Sequence, residues 1–464
     1  KSEVSTLEHL FTFDTIEGCP NWNEIPNRSE EIDIQIVKDQ INLVKNHDLA
    51  TIIYTSGTTG NPKGVMLSHH NILSNVGSCT EAIPADNNSR VLSFLPVCHI
   101  YERMLHYLYM HLGCSIYFAE SMDTIGDNIR EVKPHVFSAV PRLIEKVFDK
   151  IMAKGDDLTG IKRNLFFWAV SVGEEYDVVG KSFWYKIKLA IARKLIFKKW
   201  QAALGGNVRA IASGSAALQP RLARIFLAAG IPILEGYGLS ETSPVVSVNC
   251  FSKGIRIGTV GALIDDVQVQ IAEDGEILVK GPNVMMGYYN LPELTAEVID
   301  SEGWFHTGDI GMFQEGKYLK ITDRKKEIFK TSGGKYIVPQ VMENKFKESR
   351  FIEQIMVIGE SEKFPAAFIV PCYSYCREWA KHKKIDLGDS TNHSITKNTY
   401  VLAKIQEEID GFNKNFGNWE QIKKFALLEN EFSIDGEELT PTLKLKRKKI
   451  LAKYDSVYKT IFSN

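Results

Sequence analysis

Residues 54–64 spell YTSGTTGNPKG, directly after an apolar run and just before Ser68, a residue type that opens helices. Gly57, Gly60 and Gly64 permit backbone angles and close approaches that a Cβ would obstruct. Thr55, Ser56, Thr58 and Thr59 offer hydroxyl donors, and Lys63 adds a positive charge. Together these groups suit a polyphosphate. The spacing is not GxxxxGK[ST], so this is not a Walker-type loop. A flexible Gly/Thr surface turn would account for half this length. Eleven residues of this pattern following a strand are better explained as an anion cradle.

A phosphate loop needs a rigid frame. Short β-rich runs at 49–55, 91–97, 115–119, 136–140, 208–212 and 231–234 alternate with helical patterns. Parallel neighbours need a crossover between them, so the alternation predicts parallel sheets covered by helices, with ligands gathered at strand C-terminal ends. Near Asp266 the texture changes. Val267, Val269 and Ile271 alternate with Gln268 and Gln270, and Asp274-Gly275 turns the chain into 276–279, a β-hairpin. From Arg324 the chain becomes Lys-rich and carries its own strand candidates at 355–358 and 366–370. The expected fold is α/β, with a large N-terminal domain (1–323) of parallel α/β sheets plus a β-rich subdomain. A smaller, mobile α+β C-terminal domain (324–464) follows.

At 464 residues the chain is too long for one core, given roughly 150 residues per domain. A net charge of −2 provides no field to gather nucleic acid. The seven cysteines are scattered, without CxxC spacing or a matching histidine cluster, so neither a zinc site nor a disulfide framework is indicated and a reducing cytoplasm fits. No run reaches the roughly 18 apolar residues of a membrane span.

The loop at 54–64 resembles the phosphate-binding loop of the adenylate-forming superfamily, which includes acyl-CoA synthetases, luciferases and nonribosomal peptide adenylation domains. Later motifs agree in order. GYGLSET at 236–242 is similar to the family's adenine and magnesium motif. That implies Tyr237 stacking on adenine beside Gly238, Ser240 bonding a phosphate, and Glu241 binding Mg²⁺, a hard cation that takes carboxylate and phosphate oxygens. Most relatives have Thr at the Ser240 position, so the hydroxyl is kept. WFHTGD at 304–309 resembles the segment whose aspartate accepts from the ribose hydroxyls, here Asp309. YLKITDRKKE at 318–327 resembles the interdomain junction, implying Asp323 as hinge and Arg324 as a second ribose contact. LTPTLKLKR at 439–447 resembles the loop that delivers an adenylation lysine, here Lys444, with Lys446 as a rival because Leu443 stands where many relatives have Gly.

Three segments point to coenzyme A and a long acyl chain. LPVCHIYER at 95–103 is similar to the long-chain fatty acyl-CoA synthetase segment whose histidine, here His99, lies beside the acyl-adenylate. A single His among apolar residues is also a common core residue. The run DRKKEIFKTSGGKYIV beginning at Asp323 resembles their signature, and its Gly333-Gly334 pair suits backbone passing along pantetheine. The 439–447 loop has their form as well. The implied reaction is activation of a fatty acid by Mg·ATP to acyl-AMP and pyrophosphate, then transfer to coenzyme A. A binding protein without turnover and a ligase delivering to a carrier protein are the rivals. Met104, Leu105, Leu108 and Met110 suit either an acyl tunnel or plain core.

Residues 181–200, KSFWYKIKLAIARKLIFKKW, are apolar at Trp184, Ile187, Ile191 and Leu195 and otherwise Lys-rich. Two readings stand: a core-packed helix with a solvated basic face, or a helix lying on a membrane surface, which would make the protein peripheral there. The phosphate loop begins at Tyr54, whereas family members carry substantial chain before it, so an N-terminal truncation of the large domain is expected.

Attack of a carboxylate on a phosphate joins two anions, so a cation on the transferring oxygens acts mainly in the transition state. Lys444→Ala should slow adenylation by about 10²- to 10³-fold while thioester formation from supplied acyl-AMP persists. Single-turnover assays of the two half-reactions check this, and a selective defect in Lys446→Ala instead would reassign the loop.

Overall fold

The computed structural model describes residues 6–26, 34–55, 62–440 and 443–463. Residues 1–48 form one compact unit and residues 49–464 a second. In the first, Asn21 caps a short 3-10 turn, Trp22–Glu24, and helix α1 spans Ile34–Leu43.

The second unit opens on a hairpin. Strands β1 (Leu49–Thr55) and β2 (Lys63–Ser68) are antiparallel, with Thr55 opposite Lys63. The first run is thus a strand, as expected, but not a member of the parallel set. Only residues 56–62 separate it from its partner, and a parallel return needs a dozen or more. Strand β2 is hidden in the sequence because its Lys63-Gly64 start reads as loop. Ser68 then caps helix α2 (His69–Ser78): its Oγ accepts from Asn71 N–H at 3.1 Å, and Asn71 Oδ1 accepts from Ser68 N–H at 2.9 Å.

Strands β3 (Arg90–Ser93), β4 (Ser115–Phe118), β5 (Val136–Ala139), β6 (Ala210–Ser213) and β7 (Ile233–Gly238) are parallel, in the order β4-β3-β5-β6-β7. Every residue of β5 and β6 is buried, as a parallel sheet covered on both faces requires. The crossovers include α3 (Ile100–His111), α4 (Ile125–Val132), α5 (Pro141–Asp156), α6 (Gly160–Glu174), α7 (Phe183–Ala192), α8 (Lys198–Ala203) and α9 (Pro220–Ala228). Phe148, Phe166, Phe197, Trp200 and Phe226 fill the space beneath them. The expected strand at 91–97 stops at Ser93. Pro96 lacks an N–H, and its carbonyl accepts from His99 N–H at 3.0 Å in the turn that starts α3. Met104, Leu105 and Leu108 are core, while Met110 faces outward.

The last parallel strand continues through Tyr237, and there the sheet changes direction. β8 (Val245–Val248) pairs antiparallel with β7, and β9 (Ala262–Leu263) follows it. The expected hairpin is β10 (Gln268–Ile271) with β11 (Glu276–Lys280). β12 (Gly287–Tyr288) leaves to pair with β2, while β13 (Phe305–Gln314) and β14 (Tyr318–Arg324) complete one mixed sheet of 11 strands.

Beyond Arg324, β15 (Phe329–Lys330) pairs with β16 (Tyr336–Ile337). A three-stranded sheet of β17 (Ile352–Ile358), β18 (Ala366–Pro371) and β19 (Lys424–Leu427) packs on the helix Pro339–Phe346, which in turn meets the helix Thr399–Asn413. Its core, which includes Phe346, Ile355, Phe368, Ile405 and Ile450, draws only on residues from Phe329 onward.

Glu235 sits inside β7, buried, with Leu218 N–H donating to its Oε1 at 2.9 Å. Burial pushes its carboxyl up to about 7. Between the unfolded value near 4.5 and the folded one, the folded state holds the extra proton, so stability must fall as pH rises through that window. Glu235→Gln should remove a pH-dependent loss on the order of 3 kcal/mol. Denaturant melts of both proteins at pH 5 and pH 8 measure it.

Candidate active site

The motif residues at 237, 309 and 324 come together where the parallel and antiparallel parts of the large sheet meet. Asp309 on β13 is buried. Its Oδ2 accepts from the Tyr237 hydroxyl at 2.7 Å, and Arg324 Nε lies 3.4 Å from its Oδ1. The antiparallel register places Asp309 directly opposite Arg324, so the pairing of β13 with β14 fixes the ion pair. Burial raises the Asp309 carboxyl, against which Arg324 and Tyr237 act. Burial also holds the Tyr237 phenol well above its ordinary range, with the Asp309 charge adding to the effect.

Gly238 ends β7 against Pro244, whose carbonyl oxygen would lie 1.7 Å from a Cβ at this position. No side chain fits there. Ser240 and Glu241 occupy the 3-10 turn that follows, Ser240–Thr242. The Tyr288 hydroxyl on β12 donates to Glu241 Oε1 at 2.9 Å, and Lys63 Nζ stands 5.1 Å from the center of the Tyr288 ring. Tyr288 therefore joins β2, through Lys63, to the turn that carries Glu241. In the sequence only an aromatic pair in GYYN marks it. Thr55 closes β1 opposite Lys63. Ser56, Gly57, Thr58, Thr59 and Gly60 lie outside the described residues.

Lys444 reaches this group from the C-terminal part. Leu443 N–H donates to Thr440 O at 2.8 Å, Thr440 N–H donates to Lys444 O at 2.9 Å, and Lys444 N–H donates to Thr440 Oγ1 at 3.0 Å. The knot sets Leu443 at φ +61, in the left-handed region, which is why a glycine is the easier residue there. Leu443 packs instead against the C-terminal core. Burial and then Arg324 lower the Lys444 ammonium to about 8, while Asp309, Glu327 and Glu241 pull the other way. Lys446 sits elsewhere, its charge felt by Glu437.

His99 caps α3, its Nδ1 accepting from Tyr101 N–H at 3.3 Å. Burial and the Lys444 charge lower its basicity. A neutral imidazole whose Nδ1 accepts carries its proton on Nε2 and can donate it to an oxygen. Arg447 is a residue missed in the sequence: it holds Glu343 at 2.6 Å and Glu327 at 3.2 Å, in a run that reads as solvated lysines and arginines.

Asp323 is fully buried. Its Oδ1 accepts from Arg324 N–H at 2.5 Å, its Oδ2 lies beyond hydrogen-bond distance of any donor among the described residues, and burial pushes the carboxyl up to about 6 against the Arg324 and Gln340 backbone N–H groups. Gly333 and Gly334 form the turn between β15 and β16, where Gly334 N–H donates to Thr331 O at 2.9 Å. Gly334 has φ +73, whereas a Cβ on Gly333 would meet only Thr331 Oγ1, at 3.9 Å.

Residues 8–289 match the AMP-binding enzyme family. This chain belongs to the AMP-binding enzyme family. Over 426 residues it is 35% identical to long-chain-fatty-acid–CoA ligase FadD15 of Mycobacterium tuberculosis, covering 90% of this chain and 70% of that protein. It is also 35% identical over 447 residues to long-chain-fatty-acid–CoA ligase 1 of Cavia porcellus, covering 89% of this chain and 61% of that one. The adenylation domain of a carboxylate reductase from Mycobacterium chelonae shares the fold, with a TM-score of 0.71 at 23% identity over 90% of this chain and 61% of that chain. The match to the AMP-binding enzymes ends at Tyr289, just past Tyr288. The cluster around Asp309 therefore couples residues inside the matched segment to Arg324 and Lys444 beyond it.

The charge balance at Lys444 is open to direct measurement. In protein carrying ¹³C-dimethylated lysines, the Lys444 resonance should titrate with a midpoint near 8. Arg324→Ala should move the midpoint up and Asp309→Asn should move it down.

Proposed function

We propose that the chain is an AMP-forming acyl-CoA synthetase for long-chain fatty acids. The observation that carries the reading is the convergence of Lys444, Arg324, Asp309, Tyr237 and Glu241 on one place, with neutral His99 within electrostatic reach of Lys444. A fatty-acid carboxylate oxygen attacks the α-phosphorus of ATP. The bond from that phosphorus to the pyrophosphate oxygen breaks, giving acyl-AMP and pyrophosphate. The sulfur of coenzyme A then attacks the acyl carbonyl carbon and AMP leaves. The names of the relatives support the acid class and the thiol acceptor.

Each side chain has a task in this scheme. Tyr237 presents its ring to adenine, and Asp309 and Arg324 take the ribose hydroxyls. The loop around Lys63, with Ser240, takes phosphate oxygens. Lys444 lowers the cost of bringing carboxylate and α-phosphate together, and its depressed basicity reflects a cation held nearly dry until anions arrive. His99 donates from Nε2 toward the acyl-adenylate. Glu241 suits Mg²⁺: among the described residues no group of three carboxylate, His or Cys ligands exists, and this cation takes one or two carboxylates and fills its remaining positions with phosphate and water. Bound there, Mg²⁺ would neutralise phosphate charge.

The boundary at Asp323 is part of the proposal. The part after Arg324 has its own core, and the buried, half-satisfied Asp323 carboxylate is costly in this arrangement, which favours a hinge there. Rotation about it withdraws Lys444 and brings up the turn at Gly333-Gly334. Among the described residues nothing crowds Gly333, so its lack of a side chain suits a close-passing ligand such as pantetheine. A peripheral contact with lipid, the store of the substrate, completes the reading.

Pyrophosphate release from Mg·ATP should require a fatty acid. A thioester seen by mass spectrometry should require coenzyme A as well. A saturated acid series gives the chain preference, because each buried methylene is worth about 0.8 kcal/mol. Nucleotide binding without either product would leave only the binding-protein reading.

A further inference from the structure

The segment from α7 through the turn Arg193–Phe197 to α8 is one continuous helical stretch with two apolar stripes. Tyr185, Leu189, Ala192, Ile196 and Trp200 face inward, where the Tyr185 hydroxyl donates to Val172 O at 2.7 Å and Arg193 Nε donates to Ala228 O at 2.7 Å. Among the described residues the second stripe is left exposed or only partly covered. Trp184 is 73% exposed, Ile187 37%, Ile191 45% and Leu195 43%, and Phe183 beside them is 71% exposed. Their spacing of i, i+3, i+7 and i+11 lines them along one face.

Charge singles out what this face meets. Lys186, Lys188, Lys194, Lys198 and Lys199 are all exposed around it. From Val178 to Leu234 the chain contains no Asp or Glu at all. Of the three acids just before it, Glu174 and Asp177 are paired with Arg221 and Arg224, which leaves Glu175 against the lysines of the segment. A protein partner of ordinary mixed charge would not need so one-sided a surface. A sheet of anionic headgroups over a hydrocarbon interior matches both parts: lysines reach the headgroups while Trp184, Phe183 and the aliphatic stripe enter the interface.

We infer that the outer face of α7 and the turn after it is a docking surface for an anionic lipid bilayer. It needs no amphipathic helix to fold on contact, because the inner stripe already holds the helix in place. The contact is peripheral, since no described helix is long and apolar enough to cross a membrane. The inference names the partner of the lipid contact proposed above, yet it rests on exposure and charge alone, and its test reads binding rather than turnover.

The test is co-sedimentation of the full chain with vesicles of phosphatidylcholine alone and of phosphatidylcholine with phosphatidylserine, at low and high salt. Binding should require phosphatidylserine and fall with salt. Each lysine near such a surface is worth roughly fivefold in affinity. Replacing Lys186, Lys188, Lys194, Lys198 and Lys199 by Gln should therefore weaken binding by about 100-fold or more. The double substitution Phe183→Ser and Trp184→Ser should weaken it by about tenfold. Thermal unfolding of both variants should match the parent, because the side chains are exposed. No binding to anionic vesicles, or binding that both variants retain, overturns the inference. So does sedimentation-velocity evidence of a dimer that the Phe183→Ser, Trp184→Ser variant abolishes, since a second copy would then own the face. Fatty-acid-dependent pyrophosphate release in detergent should be unchanged in the variants, so failure of the lipid contact and failure of the synthetase reading give different results.

Discussion

The ion pair and hydrogen bond at Asp309 organise everything around them. This carboxylate is buried, and burial of an unpaired charge is prohibitive, so it must keep partners. It takes Tyr237 from the end of the last parallel strand and Arg324 from the last residue of β14. Those partners lie at the two places where backbone order changes, from parallel to antiparallel sheet and from sheet to the C-terminal part. One carboxylate thus fixes the relation of three regions. Its partner Arg324 also faces Lys444, and after burial that guanidinium is the cause that lowers the lysine, while Asp309 itself pulls the other way.

Holding a lysine in such a place is unfavourable in itself and suits the polyanion of the proposed reaction. The arrangement stores electrostatic cost that a phosphate would relieve. The same logic covers His99, kept neutral by burial and by Lys444 and so able to donate from one nitrogen without adding a second positive charge.

The C-terminal part is held against the large sheet's helices by a separate set of ion pairs. Arg142 meets Glu353, Arg350 meets Asp156 at 2.5 Å, Lys347 lies 3.8 Å from Glu145, and the Arg221 guanidinium donates to Glu348 O at 3.1 Å. These contacts are polar and part-buried, unlike the apolar cores on either side. A polar seam can open without exposing hydrocarbon, which suits the proposed rotation about Asp323. The Arg447 pairs with Glu343 and Glu327, by contrast, are internal to the C-terminal part and would travel with it.

Much of the candidate site was legible in the sequence as short motifs. The glycine and hydroxyl run at 54–64 suggests an anion by its residue types, whereas the GYGLSET turn, Asp309 and the LTPTLKLKR loop drew their roles from resemblance to the adenylate-forming enzymes; the alternation of strand and helix patterns is enough for an α/β fold. Tertiary structure decided what depends on partners distant in the chain. Strand β1 turns antiparallel because the return is too short for a crossover. Tyr288 becomes a site residue only because β12 pairs with β2. Lys444 and Lys446 are equivalent in composition, and only the fold of the loop points one toward Arg324 and the other toward Glu437. The helix at 183–192 makes the limit plainest. Periodicity reveals an apolar stripe through Trp184, Ile187, Ile191 and Leu195, but a helix with apolar residues on two faces does not say which one the core will take. The core took the other, because burial is settled by what packs across from a side chain and not by the side chain itself.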